Sequence, residues 1–224
     1  MKNIILILLF IFLPAAAFAE ALAEDRPHWS AEVKGGTFAP EIDDWAKFYG
    51  DSSTGQFEAS LAYKILRQVE AGVAIGRIRD GGQGLAPLHS AATGTAGTTI
   101  YGGHISYKLF PVSVFVVLRG VFTENQWVVP YVGGGWTRMY YKEELSAQPT
   151  VKGYTDGSHV RAGLQLLLDV FDERAATNMF RDYGVFHTYF FVEGQRTRAM
   201  INDLTGKSID LGGTSVLGGL LFEF

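Results

Sequence analysis

The chain contains no cysteine. Disulfides, thiolate metal sites and cysteine nucleophiles are therefore excluded, as is the lipid-bearing cysteine of a lipoprotein. Charge is sparse as well. Asp, Glu, Lys and Arg make up 19% of the residues, below the usual ~25%. Neither sign dominates, and a formal net charge of −4 lacks the basic footprint of a nucleic-acid-binding protein. Long apolar runs are absent after the first ~20 residues, so no later stretch approaches the ~18 apolar residues of a spanning helix. Yet hydrophobic residues make up 47% of the chain and aromatics 13%, too much for intrinsic disorder. The 27 Gly and 7 Pro favour strands and turns over long helices. A length of 224 residues suits one domain.

The N-terminus reads as an address. Met1-Lys2-Asn3 carries a positive charge, and the apolar run Ile4 to Leu13 follows. Pro14 breaks that run, and Ala17-x-Ala19 has the small residues of a signal-peptidase site, with cleavage before Glu20. Ala21-x-Ala23 is a second candidate site. Residues 1–19 are expected to be a signal peptide, 20–27 a periplasmic lead-in and 28–224 the folded domain.

From about residue 28 the hydrophobic pattern has a period of two. Eight runs carry it. In the first, from Trp29 to Phe38, Trp29, Ala31 and Val33 oppose Ser30, Glu32 and Lys34. In the second, Phe57, Leu61, Tyr63 and Ile65 oppose Gln56, Glu58, Ser60 and Lys64. In the third, Val69, Val73 and Ile75 oppose Glu70, Gly72 and Gly76. The fourth is long, Thr98 to Phe122, with Pro111 in its middle. A bulge that switches facing parity is expected at Pro111, because strand prolines gather at bulges and edges. The fifth spans Trp127–Tyr141, the sixth is centred on Val160–Leu168, the seventh spans Tyr183–Thr197 and the eighth Leu211–Phe224. Polar stretches at 39–55, 79–97, 142–158 and 198–210 read as loops on one side. Between the sixth and seventh runs, Phe171–Arg181 reads as a short helix with Asp172 as N-cap.

Eight antiparallel strands with alternating long and short connections predict an all-β, up-and-down barrel, which closes its own edges. A transmembrane barrel is expected, because one face collects Glu32, Lys34, Glu58, Lys64, Glu70, Arg119, Arg161 and Glu193 while the other is apolar. Trp29, Tyr63, Trp127, Tyr140 and Phe222 lie near strand ends, as an interfacial girdle would.

Two segments carry a resemblance. Val129-Pro-Tyr-Val-Gly-Gly-Gly135 resembles the Pro-Tyr-Val-Gly-x-Gly segment of small eight-stranded outer-membrane barrels of the OmpW-like and OmpA-like groups. Leu220-x-Phe222-x-Phe224 resembles the signal read by the barrel-assembly machinery. The resemblance implies an outer-membrane location, contact with outer-membrane lipids and lipopolysaccharide, and, for OmpW-like proteins, a small hydrophobic ligand. No cofactor or metal is implied.

Three functions are distinguishable at this stage. A barrel that passes or binds a small molecule is one, although eight strands leave an interior that side chains can fill. A structural or loop-mediated interaction protein is another. A lipid-modifying hydrolase is the third, with His104 and Ser106 as base and nucleophile on a lumen-facing strand. Simple polar alternation explains that pair without chemistry, and the non-enzymatic readings are preferred. Arg138 is expected to face outward, within reach of a lipid phosphate.

Overall fold

A computed structural model of the chain describes residues 27–42, 52–87, 99–123, 126–145, 151–202 and 208–224. The side chains of 82–87, 99–105, 143, 145, 151 and 202 lie outside that description, as does the expected signal peptide. The strands are β1 (Trp29–Pro40), β2 (Thr54–Leu66), β3 (Val69–Pro87), β4 (Thr99–Arg119), β5 (Val128–Leu145), β6 (Val151–Leu167), β7 (His187–Arg198), β8 (Met200–Asn202), β9 (Ser208–Asp210) and β10 (Gly213–Glu223). A helix, α1 (Glu173–Tyr183), lies between β6 and β7.

Eight strands close a barrel in the order β1-β10-β7-β6-β5-β4-β3-β2, every pair antiparallel. This is the up-and-down barrel expected from the alternation. Closure is completed at the chain's end, where Trp29 and Phe224 exchange backbone hydrogen bonds of 3.0 and 2.8 Å. The small strands β8 and β9 form a separate hairpin over the segment between β7 and β10.

The barrel has its apolar face outside. Val33, Leu61, Val73, Val114, Val132 and Leu164 are all exposed. Trp29, Tyr63 and Trp127 stand out from the end with the short turns, and Phe110, Trp136, Tyr140 and Tyr154 from the opposite end. A water-soluble barrel would reverse this arrangement, burying its apolar face and wetting its charges. The observed polarity suits a hydrocarbon solvent with aromatic residues at both interfaces. No helix among the described residues is long and apolar enough to cross a membrane.

Two expectations need correction. Pro111 sits in no bulge: β4 keeps one register against β3 on both sides of it, from Ile75↔Val112 to Ile78↔Leu109. Residues 107, 109, 111, 113, 115, 117 and 119 therefore share the inner face. The missing proline N–H is accommodated by a local lapse in the ladder, where no pairing of Gly76 or Arg77 with β4 is made. A Cβ at Gly76 would lie 2.8 Å from Pro111 Cγ, so glycine supplies the room that an extra residue was expected to provide. The register does shift elsewhere, at Lys64/Leu66 beside the tight β2–β3 turn and at Gln83/Leu85.

The second correction concerns the loops. β3, β4, β5 and β6 run for 19, 21, 18 and 17 residues, well beyond the ~9–11 that a tilted strand needs to cross a bilayer. Strand pairing thus claims much of 79–97 and 142–158. Polar, glycine-rich sequence does not look like strand, but its backbone N–H and C=O groups still need partners, and continuing the hairpin supplies them.

The helix lies where the sequence places it. The Asp172 side chain accepts from Ala175 N at 2.9 Å, and Gly184 ends the helix at φ 71°, where a left-handed residue is required. The helix continues to Tyr183, so β7 begins only at His187, later than the alternation suggests.

Candidate functional site: the charge-filled interior

Inward-facing side chains form successive layers along the barrel axis. Read along β4 from the turn end, the inner face carries Arg119, then Val117 and Phe115, then Ser113, then Leu109 and Tyr107. Along β7 it carries Tyr189 and Phe191, then Glu193, then Gln195 and Thr197, then Ala199. Charge, apolar packing, charge, neutral polar groups and apolar packing therefore alternate.

The charge layer at the turn end is built on Arg119. Its Nη1 donates to Glu70 Oε1 at 2.7 Å and also to Glu223 Oε1. Lys64 Nζ lies 2.6 Å from the same Glu223 oxygen, and Ser30 Oγ donates to Glu70 Oε2 at 2.9 Å. The guanidinium stacks 5.2 Å from the Tyr189 ring centroid.

The central charge layer is built on Lys34 and Arg161. Lys34 Nζ lies 2.8 Å from Glu58 and 2.7 Å from Glu193. Arg161 Nη1 lies 3.2 Å from Glu32 and 3.6 Å from Glu193, with its guanidinium carbon 4.0 Å above the Phe115 ring. Ser60 Oγ and Tyr131 Oη complete the carboxylates, donating at 2.8 Å to Glu32 and at 2.8 Å to Glu193. A polar set follows toward the loop end: Thr137 Oγ1 lies 2.9 Å from Ser113 Oγ and 2.7 Å from His159 Nδ1, and Ser215 Oγ donates to Gln56 at 2.6 Å.

The two charge layers are separated by a packed apolar layer that includes Phe115, Val117, Tyr131, Tyr189, Phe191 and Leu221. Two more apolar clusters close the loop end. Phe38, Ile78, Tyr107 and Leu109 form one, and Met139, Ala199 and Leu211 the other, with Ile42 and Tyr141 packed against both. Ile201 of β8 and Ile209 of β9 lie on the second cluster, so that hairpin packs down on the interior at the barrel's mouth.

All eight charged residues singled out from the alternation lie inside the barrel, and the structure pairs each with an opposite charge. A ninth is Glu223, 3% exposed, which binds two of the four interior cations. It stands between Phe222 and Phe224, so the same period of two placed it on the inner face. The apolar interior layers were also unforeseen. Their signal was the uninterrupted apolar run Val114–Leu118, which must present hydrophobic side chains to both faces.

The candidate hydrolytic pair is not assembled as expected. Without a bulge at Pro111, Ser106 lies on the face opposite Tyr107 and Leu109, which is the outer face and not the lumen. Its Oγ is buried without a hydrogen-bond partner among the described residues, and the His104 side chain lies outside them. Arg138 does face outward, but its guanidinium is held by Asp156 through two hydrogen bonds of 2.7 and 3.0 Å. Leu220 and Phe224 project from the outer face of β10, and Phe222 is half-buried.

No protein-family model matches the chain, and no curated protein matches it. Solved structures do match. Outer membrane protein OprG from Pseudomonas aeruginosa superposes with a TM-score of 0.56 at 13% identity, over 89% of this chain and 98% of that one. Neisserial surface protein A superposes with a TM-score of 0.55 at 11% identity, over 90% of this chain and 100% of that one. At such identities the shared property is the fold, that of the small eight-stranded outer-membrane barrels.

Proposed function

We propose that this chain is a sealed outer-membrane barrel, a structural or interaction element of the cell envelope and neither an open pore nor an enzyme. The observation that carries the reading is the filled interior: two buried ion-pair layers with apolar packing between them and beyond the second. Interlocked pairs of this kind are costly to open, because removing one partner strands the other in a dry interior. The proposed route to the membrane is export through the signal at 1–19 and recognition of Leu220, Phe222 and Phe224 by the barrel-assembly machinery.

The test is single-channel recording in planar bilayers, where no steady conductance is expected; a large, steady, unselective current would refute the sealed interior. Location is checked separately by membrane fractionation and by heat-modifiable migration in SDS gels. Identical migration before and after boiling, with solubility in the absence of detergent, would refute the membrane barrel.

A second reading keeps a small hydrophobic ligand. It is favoured by the apolar residues Met139, Leu211, Ile201 and Ile209 at the loop end of the interior. Saturable binding of an apolar fluorescent probe, lost in Leu211→Asp, would support it; unchanged binding in that variant would exclude this site.

A further inference from the structure

One row of the outer face departs from the rule that cross-strand neighbours avoid like charge. Arg79 of β3 pairs with Lys108 of β4, Lys108 with Lys142 of β5, and Lys142 with Lys152 of β6. All four side chains share the outward face, so four cations stand directly opposite one another across four adjacent strands. At the usual strand spacing they span only ~14 Å. Like charges in direct cross-strand register destabilise a sheet, and a continuous run of four is not needed for closure.

Among the described residues, neutralisation is incomplete. Glu144 bridges Lys108 at 2.7 Å and Lys142 at 2.5 Å. Arg79 and Lys152 form no ion pair among the described residues. Asp156, two outward rows below Lys152, is taken by Arg138 and so neutralises none of the four.

What lies beneath the cations defines the occupant. The next outward row toward the membrane includes Phe110, Tyr140 and Tyr154, each cross-strand from the next. Below that, Val112 shares its row with the Arg138–Asp156 pair, and Val114 with Trp136 follows. Along β4 the face thus grades from Lys108 through the Phe110 ring to Val112 and Val114, and on β5 and β6 a tyrosine lies beneath each lysine, above the closed Arg138–Asp156 pair. A soluble anion would use only the first of these. An amphiphile with phosphates above acyl chains would use all three, and lysine stems are long enough to follow its headgroup.

We propose that Arg79, Lys108, Lys142 and Lys152 form a docking row for the phosphates of lipopolysaccharide in the loop-end leaflet. The proposal rests on the outer-membrane reading above. Several cations spread over one row fit a headgroup carrying more than one phosphate, and the loop end of an outer-membrane barrel faces the leaflet where such a lipid resides.

The test uses the full chain, purified and shown to be folded by heat-modifiable migration. It is titrated with intact and with phosphatase-treated lipopolysaccharide. Intact lipid is expected to bind at least about tenfold more tightly than dephosphorylated lipid. The variant R79Q/K108Q/K142Q/K152Q is expected to lose that preference, and K152Q alone to reduce it. Equal binding of the two lipids by the unaltered protein would overturn the proposal, and so would an undiminished preference in the folded quadruple variant. Should that variant fail to fold, the comparison of the two lipids on the unaltered protein decides alone. Failure of the fractionation test removes the location, whereas equal lipid binding by a membrane-located barrel removes only the docking row.

Discussion

Lys34 Nζ lies 2.7 Å from Glu193 Oε1, and neither side chain has any solvent exposure. The two residues are 159 positions apart, and they meet because β1 and β7 both border β10. The lysine also holds Glu58 at 2.8 Å. Lys34→Met would leave Glu58 without its cation in a dry interior, a loss of about 3–5 kcal/mol for breaking such a pair. Urea unfolding of the protein in lipid vesicles measures it. Lys34→Met/Glu58→Gln is expected to be more stable than Lys34→Met alone; strict additivity of the two single changes would show that the pair is uncoupled.

Gly76 and Pro111 make a second coupled pair. A Cβ at position 76 would meet Pro111 Cγ at 2.8 Å, whereas its other close neighbour, Phe57 O, is 3.4 Å away. Gly76→Ala is expected to destabilise the barrel by about 1–3 kcal/mol through overpacking. Pro111→Ala in the same chain should relieve most of that cost, as read from the unfolding midpoint. No relief would mean that the ring is not what excludes a side chain there.

Glu144 should titrate abnormally. Hydrogen bonds from Lys108 and then Lys142 hold its carboxyl down to about 2. A depressed folded-state pKa contributes stability above the unfolded value near 4.5, and that contribution is lost as pH falls through about 2. Because the group is solvent-exposed, the energetic effect is small, and the signature is spectroscopic. Carboxyl NMR of Glu144 should show no midpoint near 4.5 in the intact chain and one close to it in Lys108→Gln/Lys142→Gln.

Asp172→Ala removes the cap of α1, which accepts from Ala175 N at 2.9 Å. The helix buries no residue and touches the wall through Phe180 against Phe186, so fraying its first turn is expected to leave the barrel intact. Faster hydrogen exchange at the first-turn amides is expected, reflecting about 1 kcal/mol of lost capping, with the barrel's unfolding midpoint unchanged. A matching fall in barrel stability would show that the helix braces the wall.

Much of this fold is legible in the sequence. Period-two alternation depends only on the strand's geometry, so the alternation at Glu32/Lys34, Glu58 and Arg161/Glu193 was enough to sort side chains into two faces. Asp172 and the following helix were readable for the same reason, since capping is a contact within one turn. Glu223 was equally accessible but was masked by the flanking phenylalanines, which drew attention to the outer face.

The parity of β4 is not legible in its own sequence, because a proline's missing donor can be met in two ways, by an extra residue or by a gap in the ladder. Which one occurs depends on Gly76, 35 positions away in sequence and directly across from Pro111. The same parity puts Ser106 on the outer face.

Sequence alone therefore determined the eight-strand barrel, its polarity and the identity of eight of its interior charges, because these follow from local periodicity and from the need to satisfy every backbone group. The folded barrel set which charges pair, that apolar layers separate them, and that Arg79, Lys108, Lys142 and Lys152 fall into one row. Those relationships depend on inter-strand register, which is fixed by the packing of residues far apart in the chain and leaves no mark on any single stretch of it.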